Sequence, residues 1–286
     1  MKKILSLFSV IMLFMFFIVP RSYSIQSSKV MYQTSSYNLI PNLSVSSSYF
    51  KNTLKIGLGH FAYGETPGDS DSGTAYTLVD RLNYHDGLFI GTGRIGVGYV
   101  PATYNYPGVS ANVRYSLNDF SLGAGIDPIT MNDRIQNELY LSLGQFTHSW
   151  IAANASFTGG LSGYDEYYTV DYLNATYKNI YMISPRLSNV FKVSYLWGLN
   201  GTATTKGYGL YVGGYQVPNI QNNMSGENEY QLAEGVRYRL DNATSLVADV
   251  YYSSLFLKTS NTSFEIYEPS SMTHQYGLQL GVSYKF

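Results

Sequence analysis

From Thr273 to Phe286 the chain alternates strictly. Tyr276, Leu278, Leu280, Val282, Tyr284 and Phe286 share one parity, and Gln275, Gly277, Gln279, Gly281, Ser283 and Lys285 share the other. Successive strand side chains point to opposite faces, so the pattern predicts a strand with one apolar face and one polar or very small face. The alternation recurs in Val109–Leu117, Phe120–Asp127, Phe191–Leu199 and Leu246–Phe256. Segments of about ten residues with this alternation are the signature of strands that cross a membrane in a closed barrel.

Turn chemistry divides the chain further. Lys51-Asn52, Asp86-Gly87, Asn118-Asp119, Ser188-Asn189 and Asp241-Asn242 read as short turns, and Asp-Gly in particular favours a tight hairpin. Glu65–Gly73, Pro101–Pro107 and Thr259–Ser271 read as longer loops. Short turns alternating with long loops match the periplasmic and extracellular ends of a barrel. The pattern places strands near 273–286, 244–257, 228–240, 190–199, 178–187, 150–158, 136–146, 120–130, 108–117, 88–100, 74–85, 54–64, 43–50 and 30–38. The expected fold is therefore all-β: an up-and-down antiparallel transmembrane barrel of about 14 strands, with 12 to 16 open. Residues 200–227 leave a long loop or an extra hairpin open, and Tyr167–Tyr177 reads as the outer end of a long strand. Asp80 and Glu234 carry charge on the apolar parity, for which a β-bulge is the first explanation.

The N-terminus has a different texture. Lys2 and Lys3 precede an apolar run, Ile4–Val19, which Pro20 ends, and Ser22-Tyr23-Ser24 is a small-x-small site. This reads as a cleaved signal peptide, 1–24, leaving 25–286 as one barrel domain. The run is too short for a spanning helix, which takes about twenty residues. Composition agrees with membrane strands: 29 tyrosines and only 13 % charged residues in 286, against about 25 % charged in an average globular domain. Aromatic girdles at two lipid–water interfaces use such tyrosines. There is no cysteine, which excludes disulfides, thiolate metal sites and a lipid-modified cysteine. The slightly acidic balance argues against a nucleic-acid partner.

The terminal strand, Tyr276–Phe286, resembles the assembly signal of bacterial outer-membrane barrels: an aromatic-x-Phe end preceded by apolar residues at every second position, here Leu280, Val282, Tyr284 and Phe286. The general architecture resembles that porin-like class over the whole of 25–286. The resemblance implies an outer-membrane location, insertion by the barrel assembly machinery, and contact with outer-membrane lipid and lipopolysaccharide.

The parity opposite the lipid face should line the interior. On that register it holds Lys55, Arg81, Arg94, Arg114, Arg186, Lys192, Arg237, Arg239 and Lys285, with Asp127, Glu138, Glu229 and Asp249 as acids. Arg81, Arg94, Arg114, Arg237 and Arg239 are the expected electrostatic lining, since rings or tracks of arginine favour anions in a pore. Solvation of a water-filled wall by paired charges is the ordinary reading of the same residues. The expected function is passive diffusion of small polar, preferably anionic, solutes. The alternatives are a carrier of hydrophobic compounds lined by 208–215 and a non-conducting barrel acting through its loops. Outer-loop acids at Glu65, Asp69, Asp71, Asp165, Glu166, Glu227, Glu265 and Glu268 suit a cation-decorated lipopolysaccharide surface, though solvated loop is their ordinary reading. His60, His85, His148 and His274 are scattered, and no metal, phosphate-loop or nucleophile motif accompanies them. Neither an enzyme nor a cofactor is expected.

Overall fold

The computed structural model describes residues 48–65, 68–127, 134–152, 155, 163–207, 211–212, 215–216, 219–261 and 269–286. The strands are β1 Tyr49–Glu65, β2 Ser70–Asp86, β3 Phe89–Tyr106, β4 Val109–Ile126, β5 Ile135–Ile151, β6 Asp165–Met182 and β7 Leu187–Lys206. They continue with β8 Tyr211–Val212, β9 Tyr215–Gln216, β10 Ile220–Met224, β11 Asn228–Arg239, β12 Thr244–Leu257 and β13 Ser271–Lys285. Neighbours in sequence pair antiparallel from β1 to β7, then β7 with β11, β11 with β12 and β12 with β13; β13 pairs with β1 and closes the barrel. The result is a closed barrel of ten strands plus one short extra, β10. Closure gives each of the ten barrel strands a partner on both sides, which hydrocarbon requires.

β10 continues β11. The lower part of β7, Leu187–Trp197, pairs with β11, and its upper part, Gly201–Thr205, pairs with β10. Ser225-Gly226-Glu227 separates the two, and Gly226 sits at φ 86°, where a side chain would be strained. On the other side of β7 the register with β6 slips between Asp171 and Tyr172, because Leu199 is an extra residue. This is a bulge, and it switches which parity of β7 faces inward above it.

The pairing register fixes the tilt. A ladder followed from Asn52 through Leu82, Gly93, Leu122, Leu143, Leu173, Trp197, Asn228, Phe256 and Met272 returns to β1 at Gly64, twelve residues further on. That stagger corresponds to strands inclined by about 40° to the barrel axis.

The outer wall carries an apolar belt. Leu54, Ile56, Leu78, Leu122, Leu141, Leu278 and Leu280 are exposed on it. Phe89, Tyr181, Tyr238, Tyr284 and Phe286 edge it at the end where the chain terminates, and Tyr76, Tyr99, Trp197, Tyr230 and Tyr276 edge it at the other. Tyr276 and Phe286 are ten residues apart on β13; at about 3.4 Å per residue and a 40° tilt the belt is about 25 Å high, the height of a barrel's lipid-facing band.

The strands outlast the belt, and above it the two faces exchange character. On β4, Ile126, Ala124, Leu122 and Phe120 face outward, and so do Asn118, Ser116, Arg114 and Asn112 higher on the same side. Inward, Ser121 and two glycines give way to Leu117, Tyr115, Val113 and Ala111, which join Phe61, Val100 and Trp150 in a buried core. A second core, around Phe146, Val170, Leu196 and Leu257, lies against the opposite strands. The outer solvent changes from lipid to water, so the face meeting it changes from apolar to polar, while the interior does the reverse.

This inversion corrects the strand count. Asn118-Asp119 is no turn but the point within β4 where the environment changes, so 108–117 and 120–130 are one strand. Lys51-Asn52 likewise lies inside β1, joining 48–50 to 54–64, and Trp150-Ile151 ends β5 rather than opening a new strand. Ser188-Asn189 lies in β7; the turn precedes it, with Ser184 Oγ accepting from the Arg186 and Leu187 backbone N–H. The Asp86-Gly87 turn stands, with Gly87 at φ 60°. Tyr167–Tyr177 is the outer part of β6, and β7 with the β8–β9 hairpin and β10 occupies the described part of 200–227. The signal segment and 30–38 lie outside the described residues.

The lipid-parity acids do not mark bulges. Registers on both sides of Asp80 and of Glu234 run unbroken, and both side chains point outward. Each accepts an amide from the next strand: Asn52 Nδ2 donates to Asp80 at 2.7 Å and Asn189 Nδ2 to Glu234 at 3.2 Å.

Candidate functional site

Within the belt, the inward parity builds a charged lumen. Lys51 and Lys55 (β1), Arg81 (β2), Arg94 (β3), Lys178 (β6), Lys192 (β7) and Arg237 (β11) face Asp119 (β4), Glu138 (β5), Glu229 (β11) and Asp249 (β12) across one cavity and its margin. Three ion pairs run along its wall between adjacent or next-nearest strands: Lys55–Asp249, Arg94–Asp119, and Lys178 Nζ with Glu138 Oε2 at 2.6 Å. Tyr140 OH also donates to Glu138, and Tyr172 OH to Asp119. Tyr172 reaches β4 because Gly144 intervenes; a Cβ there would lie 2.5 Å from the tyrosine ring. Small residues on the lumen parity thus leave room for long polar side chains from neighbouring strands.

Bases outnumber acids, and several are placed against each other. Arg81 stands directly opposite Arg94, and Lys178 directly opposite Lys192. Like charges in direct cross-strand register destabilise a sheet. Asp119 and Glu138 offset half of each pair; Arg81 and Lys192 make no ion pair among the described residues.

Of the five arginines expected to line the interior, Arg81, Arg94 and Arg237 do so, and Arg239 points inward at the terminal rim. Arg114 does not. It lies on the outward face of β4 above the belt, because the supposed turn at Asn118 is absent and parity runs on unchanged. The structure adds Lys51, Lys178 and Asp119, which sequence reasoning missed. Lys51 and Asp119 were assigned to turns, and Lys178 to the first position of a strand that begins thirteen residues earlier at Asp165. A signal was present for Asp119: it has the same parity as Ser121 and Gly123. Leu280, Val282, Tyr284 and Phe286 all face outward at the closing seam, where Phe286 and Phe50 exchange backbone hydrogen bonds of 2.9 Å.

At the opposite end, above the belt, acids and tyrosines converge. Tyr63 OH donates to Glu65, Tyr115 OH to Asp71, and Tyr168 OH to Glu166 at 2.7 Å. Burial pushes the Glu65 carboxyl up to about 8, against the opposing Tyr63 hydrogen bond and helped by Asp69 and Glu166. Asp71 rises to about 7, again chiefly by burial. Burial thus makes both carboxyls easier to protonate than ordinary ones. No group of described His, Cys, Asp or Glu residues has metal-binding geometry. Glu265, Glu268 and most of 208–215 lie outside the described residues.

No family model matches the chain, and no curated protein matches it. Solved structures do. The outer-membrane protease OmpT from Escherichia coli aligns with 86 % of this chain and 100 % of its own, at 10 % identity and a TM-score of 0.61. OprG from Pseudomonas aeruginosa covers 85 % of this chain and 97 % of its own at 8 % identity and TM-score 0.38. Neisserial surface protein A covers 85 % and 99 % at 12 % identity and TM-score 0.31. The fold is that of bacterial outer-membrane β-barrel proteins, and such barrels include proteins of quite different activity.

Proposed function

We propose that the protein is an outer-membrane passage for small anions, limited in size by the side chains that crowd a ten-stranded lumen. The supporting observation is the excess of inward bases, with Arg81 set against Arg94 and Lys178 against Lys192. Such an arrangement is tolerated where water and mobile anions can enter between the charges, and it gives a positive potential along the path. Ten strands are close to the eight at which side chains fill a barrel, so large solutes are excluded. The role proposed is passage, not catalysis. Insertion by the assembly machinery and contact with lipopolysaccharide follow from the terminal strand and the polar outer extension.

The test is anion uptake by lipid vesicles containing the purified protein and a chloride-quenched dye. Chloride and nitrate should enter faster than in protein-free vesicles, and the double variant Arg81→Gln/Arg94→Gln should slow entry several-fold. Uptake equal to that of empty vesicles would overturn the proposal.

A second reading rests on the outer cores, where Phe61, Val100, Val170 and Leu257 have at most 2 % exposure. A barrel sealed at that level would act through its extracellular end instead. Vesicles impermeable to anions and cations alike would select it.

A further inference from the structure

At the end of the barrel where the chain terminates, a second cavity opens, sharing Lys51 and Arg237 with the lumen. It is lined by Lys51, Arg186, Arg237, Arg239 and Lys285, together with Ser188, Ser245, Ser283, Asn242 and Gln136. Among the described residues no carboxylate lines it. Short turns and the aromatic C-terminal strand put this end on the periplasmic side.

The positions of the five bases follow from the register. Lys51 on β1 stands directly opposite Lys285 on β13, a third like-charge cross-strand pair. Arg237 lies two residues below Gly235 on β11 and Arg239 two further, both inward. Arg186 sits in the β6–β7 turn, brought beside them by the 2.7 Å bond from Arg239 N to Arg186 O. Two of these side chains have an internal contact, and none makes an ion pair among the described residues. Lys285 Nζ lies 3.8 Å from the centre of the Tyr49 ring, and Arg239 Nη2 donates to Pro185 O. Arg237 Nε is buried with no hydrogen-bond partner.

The nearby acids among the described residues are engaged elsewhere. Glu138 takes Lys178 and Tyr140, Asp127 takes the Gln136 amide at 2.7 Å, and Asp241 caps the β11–β12 turn by accepting from Ala243 N and Thr244 N. Five basic side chains therefore converge with a buried guanidinium donor left open and serine hydroxyls between them. A multivalent oxyanion meets that set: its oxygens accept from guanidinium forks and hydroxyls, and its charge offsets the Lys51–Lys285 repulsion.

We propose that this periplasmic mouth is a binding site for a soluble multivalent phosphate-type anion. The side chains point into the barrel, away from the lipid wall, so the phosphate belongs to a molecule entering from the periplasm rather than to a headgroup in the leaflet. Residues 25–48 of this chain contain no acid and do not supply the charge. The site does not depend on conduction through the lumen, because it opens at the mouth.

Calorimetric titration of the detergent-folded protein with inorganic pyrophosphate tests this. Saturable binding is expected, weakened about tenfold or more in Arg186→Gln/Arg239→Gln/Lys285→Gln, since three charge-assisted donors are lost. Arg239 also holds the Pro185 turn, so Arg186→Gln/Lys285→Gln, which spares that contact, should show the same direction; heat-modifiable migration confirms that each variant is folded. Arg81→Gln/Arg94→Gln should bind pyrophosphate as the wild type does, even if its ion passage is lost. The assignment is overturned by absence of saturable binding, by unchanged affinity in the folded variants, by tighter capture of a polyglutamate peptide, or by displacement of pyrophosphate when anionic lipid is added to the detergent micelles.

Discussion

A single arginine moved along the outward face of β4 should report where lipid ends and water begins. Leu122, Phe120, Asn118, Ser116 and Arg114 all point outward from this strand. Each residue climbs about 2.5 Å along the barrel axis, from a rise of about 3.4 Å and a tilt of about 40°. Leu122 to Asn118 is then about 10 Å, and Leu122 to the native Arg114 about 20 Å. An arginine near the bilayer midplane costs about 2–4 kcal/mol and one near the interface about 0–1. Leu122→Arg should accordingly lose about 2–4 kcal/mol, Asn118→Arg at most about 1, and Ser116→Arg almost nothing. The inward side should show the reverse. Leu117, at 8 % exposure, packs in the outer core, and Leu117→Ala should cost about 2–5 kcal/mol although it lies above the lipid. Reversible unfolding in guanidinium from lipid vesicles, followed through the emission of Trp150 and Trp197, measures all four. A Leu122→Arg penalty no larger than that of Ser116→Arg, or a neutral Leu117→Ala, would refute the exchange of faces.

Three shorter expectations accompany it. Phe286→Ser should lower the amount of heat-modifiable barrel in the outer membrane and raise periplasmic degradation, because Phe286 pairs with Phe50 at the closing seam; unchanged levels would show that the terminus is no assembly signal. Glu65 is raised to about 8 in the folded outer end from an ordinary value of 4.5, so its contribution is present at acid pH and is lost as pH climbs through that window. Protease cleavage of the outer loops should then be slower at pH 5 than at pH 9, and Glu65→Gln should flatten the difference; equal rates would contradict the burial of that carboxyl. Asp80→Asn and Glu234→Gln should leave the barrel folded and its stability equal or slightly higher, since both carboxylates face lipid with one amide donor each.

The sequence made the outward parity of β11, β12 and β13 plain, since these strands lie largely within the belt and keep one environment. It misled where a strand leaves the belt. In β4 the polar residues move from the lumen to the outer wall across Asn118-Asp119, and a change of polar phase between turn-forming residues looks like a hairpin. Arg114 was placed in the lumen for that reason, and the fourteen expected strands include three long ones cut in two. Lumen arginines on β2, β3 and β11 were legible because their outward neighbours are Leu82, Ile95 and Val236, which fix the parity. The opposition of Arg81 to Arg94 and of Lys51 to Lys285 was not legible: it depends on the register between strands, which alternation alone leaves open.

The most direct test of an anion-biased lumen is the reversal potential of the wild-type protein in a planar bilayer under a potassium chloride gradient. The account predicts small channels whose reversal potential has the anion-selective sign, shifted toward zero in Arg81→Gln/Arg94→Gln/Lys192→Gln. A cation-selective sign, or a bilayer without conductance in the presence of folded barrel, would contradict it.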